Sequence, residues 1–301
     1  MILVVGSVAL DTIKTPFGKV ERFLGGSAVH FAVAASILGQ VGIVGVVGAD
    51  FDDSFTAQLK RKGIDVEGLQ KVSGKTFHWE GFYEYDMNQA HTVKTELGVF
   101  QNFQPEIPDK YKPASIVFLA NIDPDLQLKV VESLKKPQLI VGDTMNYWIE
   151  NKKEKLIEVI RRSDIMLMND GEARQMFNTP NIVKAAKRIM TLGPKVVIIK
   201  KGEHGGIMFT PDTMFVAPAF PLDEVVDPTG AGDSFAGGFV SFLSRDLRLS
   251  DENLRKAIIF GTVIASFTVS DFGSRALYNL QYAEIKQRYA KLMKYTQFGK
   301  I

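Results

Sequence analysis

The residues Gly230, Ala231, Gly232 and Asp233 combine small side chains with one carboxylate, and an apolar run at 235–243 follows them. This order is typical of a tight turn that leads into the N-terminus of a buried helix. The first N–H groups of a helix have no intrahelical acceptor, and the helix dipole adds positive potential around them. The sequence therefore predicts an anion site at this turn, and phosphate is the usual anion at such sites.

Asp233 is an unexpected residue at an anion site, because a carboxylate repels the anion. One interpretation is that it only caps the helix, as acidic residues near helix starts commonly do. The other is that it takes a proton from a hydroxyl that attacks the phosphate. The second interpretation predicts a phosphotransferase with Asp233 as its general base.

Apolar strands alternate with helical stretches along most of the chain. The predicted strands cover residues 1–5, 41–47, 116–119, 138–141, 165–168 and 196–199, and the predicted helices cover 27–38, 55–62, 235–244, 253–269 and 283–295. Continuous apolar strands separated by helices predict a parallel sheet that is covered on both faces. Residues 12–24 and 76–97 break this pattern, and the second segment alternates like a hairpin with its turn at 86–89. We expect these two segments to form a small separate sheet.

The fourteen residues 226–239 resemble the signature of the ribokinase family, the PfkB carbohydrate kinases, and the resemblance extends over nearly the whole chain. It implies a ribokinase-like three-layer α/β/α core with a mostly parallel sheet, and a small β-sheet lid over the substrate. The core would comprise residues 1–11, 25–71 and 101–301, and the lid 12–24 and 72–100. The resemblance also implies that ATP donates its γ-phosphate to a hydroxymethyl group of a sugar or sugar-like acceptor. In this family the turn of 230–232 is the anion hole and Asp233 is the catalytic base.

Two further motifs resemble the acceptor site of the family. Asp11 follows the first strand, and the resemblance makes it the acceptor of hydrogen bonds from two sugar hydroxyls. Gly25, Gly26 and Ser27 form a di-glycine turn before a helix, which lets a sugar approach the backbone closely. His30 stands where ribokinases and adenosine kinases have a sugar-binding asparagine. Its side chain either bonds the acceptor or is simply packed, and both interpretations remain open.

The resemblance also implies an ATP site at the carboxyl ends of core strands. Its predicted residues are Asn146, Asn169, Lys200, Gly202 and Gly205. Asn146 belongs to an element that has one more residue in its spacing than the family has. Lys200 stands where many relatives have threonine, and it is either a ligand of the ATP phosphates or a solvated surface lysine.

Two ion sites follow from the same resemblance. Glu172 belongs to an Asn-x-x-Glu motif that orders Mg²⁺ and phosphate oxygens largely through water, and oxygen donors in a partly hydrated site suit this ion. A simple capping arrangement is the alternative for this motif. Asp227 and Thr229 match positions that hold a monovalent cation in several relatives, with K⁺ as the candidate ion. Alternatively, Asp227 and Pro228 only shape the turn.

Other enzyme classes are disfavoured by missing motifs. No Gly-x-x-x-x-Gly-Lys-Ser/Thr is present, which argues against a P-loop enzyme. The first strand ends in Gly6 without Gly-x-Gly-x-x-Gly, which argues against a dinucleotide dehydrogenase. We predict a carbohydrate kinase, with a nucleoside kinase of the adenosine or cytidine type as the alternative. A non-catalytic sugar- or nucleotide-binding regulator is a further alternative, and Ala9 and His30 fit no acceptor subgroup neatly.

Composition narrows the partners and the location. The 301 residues carry a formal net charge of +2 with scattered basic residues, so we expect a small-molecule substrate and no nucleic acid. No apolar run approaches the roughly 18 residues of a membrane span, so we expect no membrane partner. The apolar first ten residues lack a basic segment, which favours a buried strand over a signal peptide. The absence of cysteine excludes disulfides and thiolate metal sites, and it fits a cytoplasmic location.

The lid segments are rich in Phe, Trp and Tyr. A thin sheet cannot bury that much apolar surface by itself. We expect the lid either to pack against a second subunit in a homodimer or to pack only on its own domain. The sequence does not choose between these two arrangements.

Overall fold

The computed structural model describes residues 1–297 and 299, and the remaining positions of the predicted core, 298, 300 and 301, lie outside the described residues. Its strands fall into two sheets. They are β1 (Ile2–Val5), β2 (Ala9–Thr15), β3 (Gly18–Gly25), β4 (Val41–Gly48), β5 (Ile64–Val72), β6 (Phe77–Tyr83), β7 (Ala90–Glu96), β8 (Ile116–Leu119), β9 (Leu139–Gly142), β10 (Ile165–Asn169), β11 (Val196–Lys200), β12 (Gly206–Phe209) and β13 (Met214–Ala217).

The large sheet has the order β13-β12-β11-β10-β9-β8-β1-β4-β5. Its strands are parallel except at one edge, where β12 runs antiparallel to both β11 and β13. The central strands are buried along their whole length, as their unbroken apolar runs predict. The predicted mostly parallel sheet is confirmed.

Helices cover both faces of this sheet. They are α1 (Ser27–Ala35), α2 (Asp53–Arg61), α3 (Pro124–Ser133), α4 (Asn146–Asn151), α5 (Lys153–Arg162), α6 (Asp170–Phe177), α7 (Ile182–Met190), α8 (Ala231–Leu243), α9 (Asp251–Thr268), α10 (Arg275–Tyr278) and α11 (Tyr282–Tyr295). On one face α1, α8 and α9 enclose the largest apolar cluster. On the other face α3, α5, α6 and α7 pack over two smaller clusters, which completes the three layers. No described helix combines the length and the apolar composition that crossing a bilayer requires.

Glycines allow α8 to approach its neighbouring helices at backbone distance. A Cβ added to Gly237 would overlap the carbonyl oxygen of Phe31 in α1. A Cβ added to Gly238 would lie 3.0 Å from the Cα of Gly261 in α9. Larger residues at these positions would push the helices apart, since packed interiors leave little room for added methyl groups. The position of the N-terminus of α8 is therefore fixed by direct contact with two other helices.

Helix α8 begins at Ala231, four residues before the predicted start at 235. Gly230 precedes it with φ 74° and ψ 3°, a left-handed conformation that glycine adopts without strain. Glycine and alanine dominate the first turn, and the low helix propensity of glycine hid that turn from the sequence pattern. As a consequence, Asp233 lies inside the first turn of the helix rather than before it.

The small sheet has the order β3-β2-β6-β7, with β2 and β6 parallel and the other pairs antiparallel. The hairpin of β6 and β7 is closed by residues 84–89, which include the predicted turn. One face of this sheet packs on the core, where Ile13 and Val20 meet Phe272. The strands 9–25 extend the first predicted lid segment at both ends. The exact division into core and lid remains a prediction.

Candidate active site

Five elements bring polar groups to the side of the large sheet where its parallel strands end. The carboxyl ends of β9, β10 and β11 lead to Asp143, Asn169 and Lys200, and the N-terminus of α8 lies next to them. The carboxyl end of β1 leads into β2, which carries Asp11. Parallel strands form a ligand crevice at this edge because all their carboxyl ends meet there.

The turn before α8 offers free main-chain donors. Within the described residues, the N–H groups of Gly230, Gly232 and Asp233 have no acceptor. The N–H of Ala231 instead donates to the carbonyl oxygen of Pro228 at 3.2 Å. Unpaired N–H groups at a helix N-terminus attract an anion, as the sequence predicted for this turn.

Asp233 is half-buried and lies in the first turn of α8. Burial and the negative charge of Asp143 raise the pKa of Asp233 to about 8, although the charge of Lys200 opposes the shift. A carboxylate with such a pKa is a stronger base than an ordinary aspartate. It suits proton abstraction from a hydroxyl. Charged neighbours that shift the pKa of a carboxylate are typical of functional sites.

Lys200 is a half-buried cation beside this turn. Its Nζ donates to Asp143 Oδ2 at 2.7 Å, and it would lie 3.2 Å from a Cβ added to Gly232. Burial alone would lower the pKa of Lys200, but the charges of Asp143 and Glu172 outweigh that effect and raise it. The ammonium group therefore stays charged next to the free N–H groups.

Glu172 and Asn169 form a reciprocal capping box at the start of α6. Asn169 donates to both carboxylate oxygens, from its N–H at 2.8 Å and from Nδ2 at 2.7 Å, and Glu172 N–H donates back to Asn169 Oδ1 at 2.7 Å. Burial raises the pKa of Glu172 to about 7, opposed by the charge of Lys200. The capping arrangement is thus present, and it holds a carboxylate within the field of Lys200.

No group of three acidic or histidine side chains within the described residues lies close enough to enclose a metal ion. Mg²⁺ commonly binds one or two carboxylates together with substrate phosphates and keeps several waters. The oxygen donors of Glu172 fit such a partly hydrated site, and they do not fit a site made of protein ligands alone.

Asp11 is buried against the di-glycine turn. Its carboxylate occupies the space that a Cβ on Gly25 would need. Burial raises the pKa of Asp11 to about 7, a hydrogen bond from the N–H of Gly26 opposes the shift, and the charge of Asp227 adds to it. In the small sheet Asp11 pairs with Phe23 on one side and with Trp79 on the other. Directly paired residues share a face, so Phe23, Asp11 and Trp79 lie next to one another on the same face of the small sheet.

His30 is buried under the anion turn. A Cβ on Gly230 would overlap the imidazole ring, and His30 Nδ1 lies 2.9 Å from Ser274 Oγ. His30 Nε2 is buried without a partner in the described part of the chain. Burial lowers the pKa of His30 to about 4, so the ring is neutral at neutral pH. The histidine is therefore packed against the turn and still carries one unpaired polar atom.

Asp227 organises the approach to the turn. Its Oδ1 accepts from the N–H of Thr229 and its Oδ2 accepts from the N–H of Gly273, both at 2.9 Å. Burial is the main cause that raises the pKa of Asp227. Within residues 1–297, no lysine, arginine or histidine forms an ion pair with this carboxylate. The turn-shaping role weighed for Asp227 is present in the structure.

The remaining predicted nucleotide residues lie around the same edge. Asn146 is the first residue of α4, and its exposed side chain makes no hydrogen bond within the described residues. Gly202 and Gly205 flank Glu203 and His204 in a short 3₁₀ turn directly after β11. This turn thus adjoins Lys200. Within the described residues, the Asn146 side chain forms no hydrogen bond with the other predicted ATP residues.

Sequence reasoning missed three residues of this site. Ser274 and Tyr83 contact it from segments far along the chain, and Trp79 was seen only as part of an alternating strand. The alternation in β6 places residues 79 and 83 on the same face as Asp11. This alternation was the sequence signal that could have placed both aromatic residues near the site.

The three-layer α/β/α core places an anion turn, a half-buried lysine and a half-buried aspartate at the carboxyl ends of parallel strands, an arrangement that suits phosphoryl transfer. The chain matches the model of the pfkB family carbohydrate kinases over residues 1–279, and it belongs to that family. It is a sugar or nucleoside kinase with an alcohol group as acceptor, and kinases of this family use ATP. The predicted family, fold and phosphotransferase activity are confirmed.

Individual relatives are similar over most of their length. A cytidine kinase of Thermococcus kodakarensis is 33% identical over 83% of this chain and 91% of its own. The crystal structure of a nucleoside kinase of Methanocaldococcus jannaschii has a TM-score of 0.77 at 26% identity, and the match covers 96% of this chain and 98% of its own. A putative ribokinase II from E. coli, solved with ATP and Mg²⁺, has a TM-score of 0.81 at 19% identity, with coverage of 96% of this chain and 99% of its own.

Proposed function

We propose that the acceptor of this kinase is a nucleoside, phosphorylated on the hydroxymethyl group of its ribose. The observation that carries this proposal is the position of Asp11 between Phe23 and Trp79 on the inner face of the small sheet. A carboxylate accepts hydrogen bonds from a sugar diol, and a neighbouring aromatic ring stacks on a base. Similarity to a cytidine kinase and to a nucleoside kinase supports the same choice over a free sugar.

Asp233 is proposed as the general base that deprotonates the attacking hydroxyl. Its position beside the free N–H groups of the turn and its raised pKa support this role. Gly230, Ala231 and Gly232 are proposed as the main-chain anion hole for the transferring phosphoryl group. The N–H of Ala231 already donates to Pro228, so Gly230 and Gly232 supply the free donors.

The acceptor is proposed to bind Asp11 and the turn of Gly25, Gly26 and Ser27. His30 contributes to this site through its unpaired Nε2 or through packing alone. The neutral ring supports both roles.

The nucleotide is proposed to lie on the other side of the anion turn. Its ligands would be Asn146, Asn169, Lys200, Gly202 and Gly205. The position of the Lys200 ammonium group near Gly232 supports a contact with the phosphates. Mg²⁺ would be ordered by Glu172 through water, and when bound it neutralises the phosphate charge.

Asp227 and Thr229 are proposed to lie at a K⁺ site. A buried carboxylate that lacks a cationic partner within the described residues is costly, and a bound cation would lower that cost. Both of its oxygens already accept an N–H, so any ion would share them with the main chain.

The small sheet is proposed to be a lid over the acceptor and also the contact between two subunits. Its inner face packs on the core, whereas the outer face exposes Val93 to 61%, and Phe17 in the turn between β2 and β3 is 50% exposed. A hollow of about 640 Å³ lies on this sheet, and Lys14, Phe82 and Val93 are among its lining residues. A second copy of the same face would bury these apolar groups in a symmetric dimer.

A cytoplasmic location is also proposed, supported by the absence of cysteine.

Asp233→Asn should lower turnover by at least about 100-fold, the low end of what a general base contributes, while ATP binding persists. In the wild type, kcat/KM at subsaturating ATP and acceptor should rise with pH up to about 8, because Asp233 must lose its proton first. Asp11, with its pKa near 7, adds to the lower part of the rise. The step near pH 8 should vanish in the variant. Near-normal turnover of Asp233→Asn would refute the role.

Phosphorylation of a panel of acceptors should favour cytidine, adenosine or another nucleoside over free ribose by about tenfold or more in kcat/KM, since base stacking contributes roughly 1–3 kcal/mol. Trp79→Leu should erode that preference and leave the activity on ribose little changed. Tyr147→Leu, which alters an exposed aromatic residue away from the small sheet, serves as the control. A wild-type preference for ribose would reject the nucleoside assignment.

Removal of Mg²⁺ by a chelator should abolish turnover, and replacement of K⁺ by a large organic cation should lower it. Asp227→Asn should lose the response to K⁺ because the variant removes the negative charge that attracts the ion. Turnover is measured at fixed ionic strength. Equal rates with and without K⁺ would exclude the monovalent site.

Light scattering should give the mass of a dimer in solution. Val93→Lys should yield monomers because it adds a charge to the outer face of the small sheet. Met293→Lys, at a residue of α11 that is 50% exposed, is the matched control and should stay dimeric. A dimer that survives Val93→Lys would argue against this interface.

A further inference from the structure

Tyr83 connects the small sheet to the residue that precedes the anion turn. It is the last residue of β6 and lies on the inner face with Trp79. Its hydroxyl accepts a hydrogen bond from Thr229 Oγ1 at 3.1 Å. Since Thr229 comes directly before Gly230, a group on the lid touches the entry to the turn.

Thr229 is held from two directions. Its N–H donates to Asp227 Oδ1 at 2.9 Å, which fixes the backbone from the core side. Its side chain donates to Tyr83, which belongs to the lid. The conformation of the turn therefore depends on one bond within the core and on one bond to the small sheet.

The phenol is suited to an uncharged contact at a phosphate site. Burial raises the pKa of Tyr83 to about 12; the bond from Thr229 opposes this shift, and the charges of Asp227 and Asp11 add to it. Tyr83 thus remains neutral at any working pH, and it accepts the bond from Thr229 without repelling a phosphate.

A second contact links the same hairpin to the nucleotide side. Asn88, in the connection between β6 and β7, donates from Nδ2 to Glu203 Oε1 at 3.3 Å. Glu203 lies in the turn that follows Lys200. One hairpin of the lid therefore reaches both the anion turn and the predicted nucleotide turn.

We propose that Tyr83 is a positioning residue that orders the anion turn when the lid closes. Closure would bring its hydroxyl to Thr229 and fix Gly230 in the conformation that presents its free N–H. Opening would release the hydrogen bond between Thr229 and Tyr83. The turn would therefore be held by both of its hydrogen bonds only when the lid is closed over a bound acceptor. This inference rests on the proposed role of the turn in phosphoryl transfer.

The test is a double-mutant cycle with Tyr83→Phe and Thr229→Val at saturating K⁺. Each single variant should lower the turnover of phosphoryl transfer about fivefold, the effect of one lost hydrogen bond. The double variant should lose little more than either single variant, because both remove the same bond. Tyr85→Phe, two residues further along at a side chain that is 93% exposed, should leave turnover unchanged.

A second readout separates positioning from a general structural defect. According to the proposal the lid stays open without an acceptor, so Tyr83→Phe should leave the rate of ATP hydrolysis by water unchanged. The ratio of transfer to hydrolysis should then fall about fivefold, as the lost bond predicts. An equal loss in both reactions, independent effects in the cycle, or wild-type turnover in Tyr83→Phe would overturn the proposal.

The acceptor in these assays is whichever compound the wild type phosphorylates fastest. A failed nucleoside assignment therefore leaves this test intact. Full activity of Asp233→Asn would refute the proposed general base, whereas it would not change the measured coupling between Tyr83 and Thr229.

Discussion

Backbone contact between α8 and its neighbours is the constraint on which the site depends. Gly237 lets α8 rest on the main chain of α1, and Gly238 lets it approach Gly261 of α9. Side chains adapt to strain by changing rotamers, but two backbones in contact have no such freedom. The free N–H groups before Ser234 are thus held in place by packing that lies two turns further along the same helix. A preorganised donor set costs no reorganisation when charge develops on the phosphoryl group.

The electrostatics of the site follow from placing one cation among several carboxylates. Lys200 bonds Asp143 and acts on Glu172 and Asp233. Acidic groups that are buried together raise one another's pKa values, and the lysine limits that rise. The result is an aspartate at the turn whose pKa is about 8, with a charged ammonium group beside it. A bound nucleotide would add negative charge to this balance, which is why a divalent cation belongs to the proposed mechanism.

The sequence predicted the parts of this molecule that are local in the chain. The anion turn, the buried strands and the capping residues Asn169 and Glu172 are encoded in short segments whose patterns have direct physical meaning. The strands β5, β12 and β13 escaped prediction. Polar residues interrupt the apolar pattern of β5, and β12 and β13 follow β11 without an intervening α-helix, so they do not fit the alternation of strands and helices. Contacts between distant segments, such as His30 with Ser274 and Tyr83 with Thr229, escaped for a different reason. A hydroxyl carries no sequence signal that names its partner across more than a hundred residues.

The contact between His30 and Gly230 has a consequence for how related sequences can diverge. The imidazole ring fills the volume in which any side chain at position 230 would begin. Any side chain at 230 would clash with this ring and would also strain the left-handed backbone of that position, so 230 stays glycine whichever residue stands at 30. A smaller residue at 30 would leave a void beneath the turn. Divergence at this contact is therefore confined to position 30, and an engineer who replaces His30 must fill the space that the imidazole leaves.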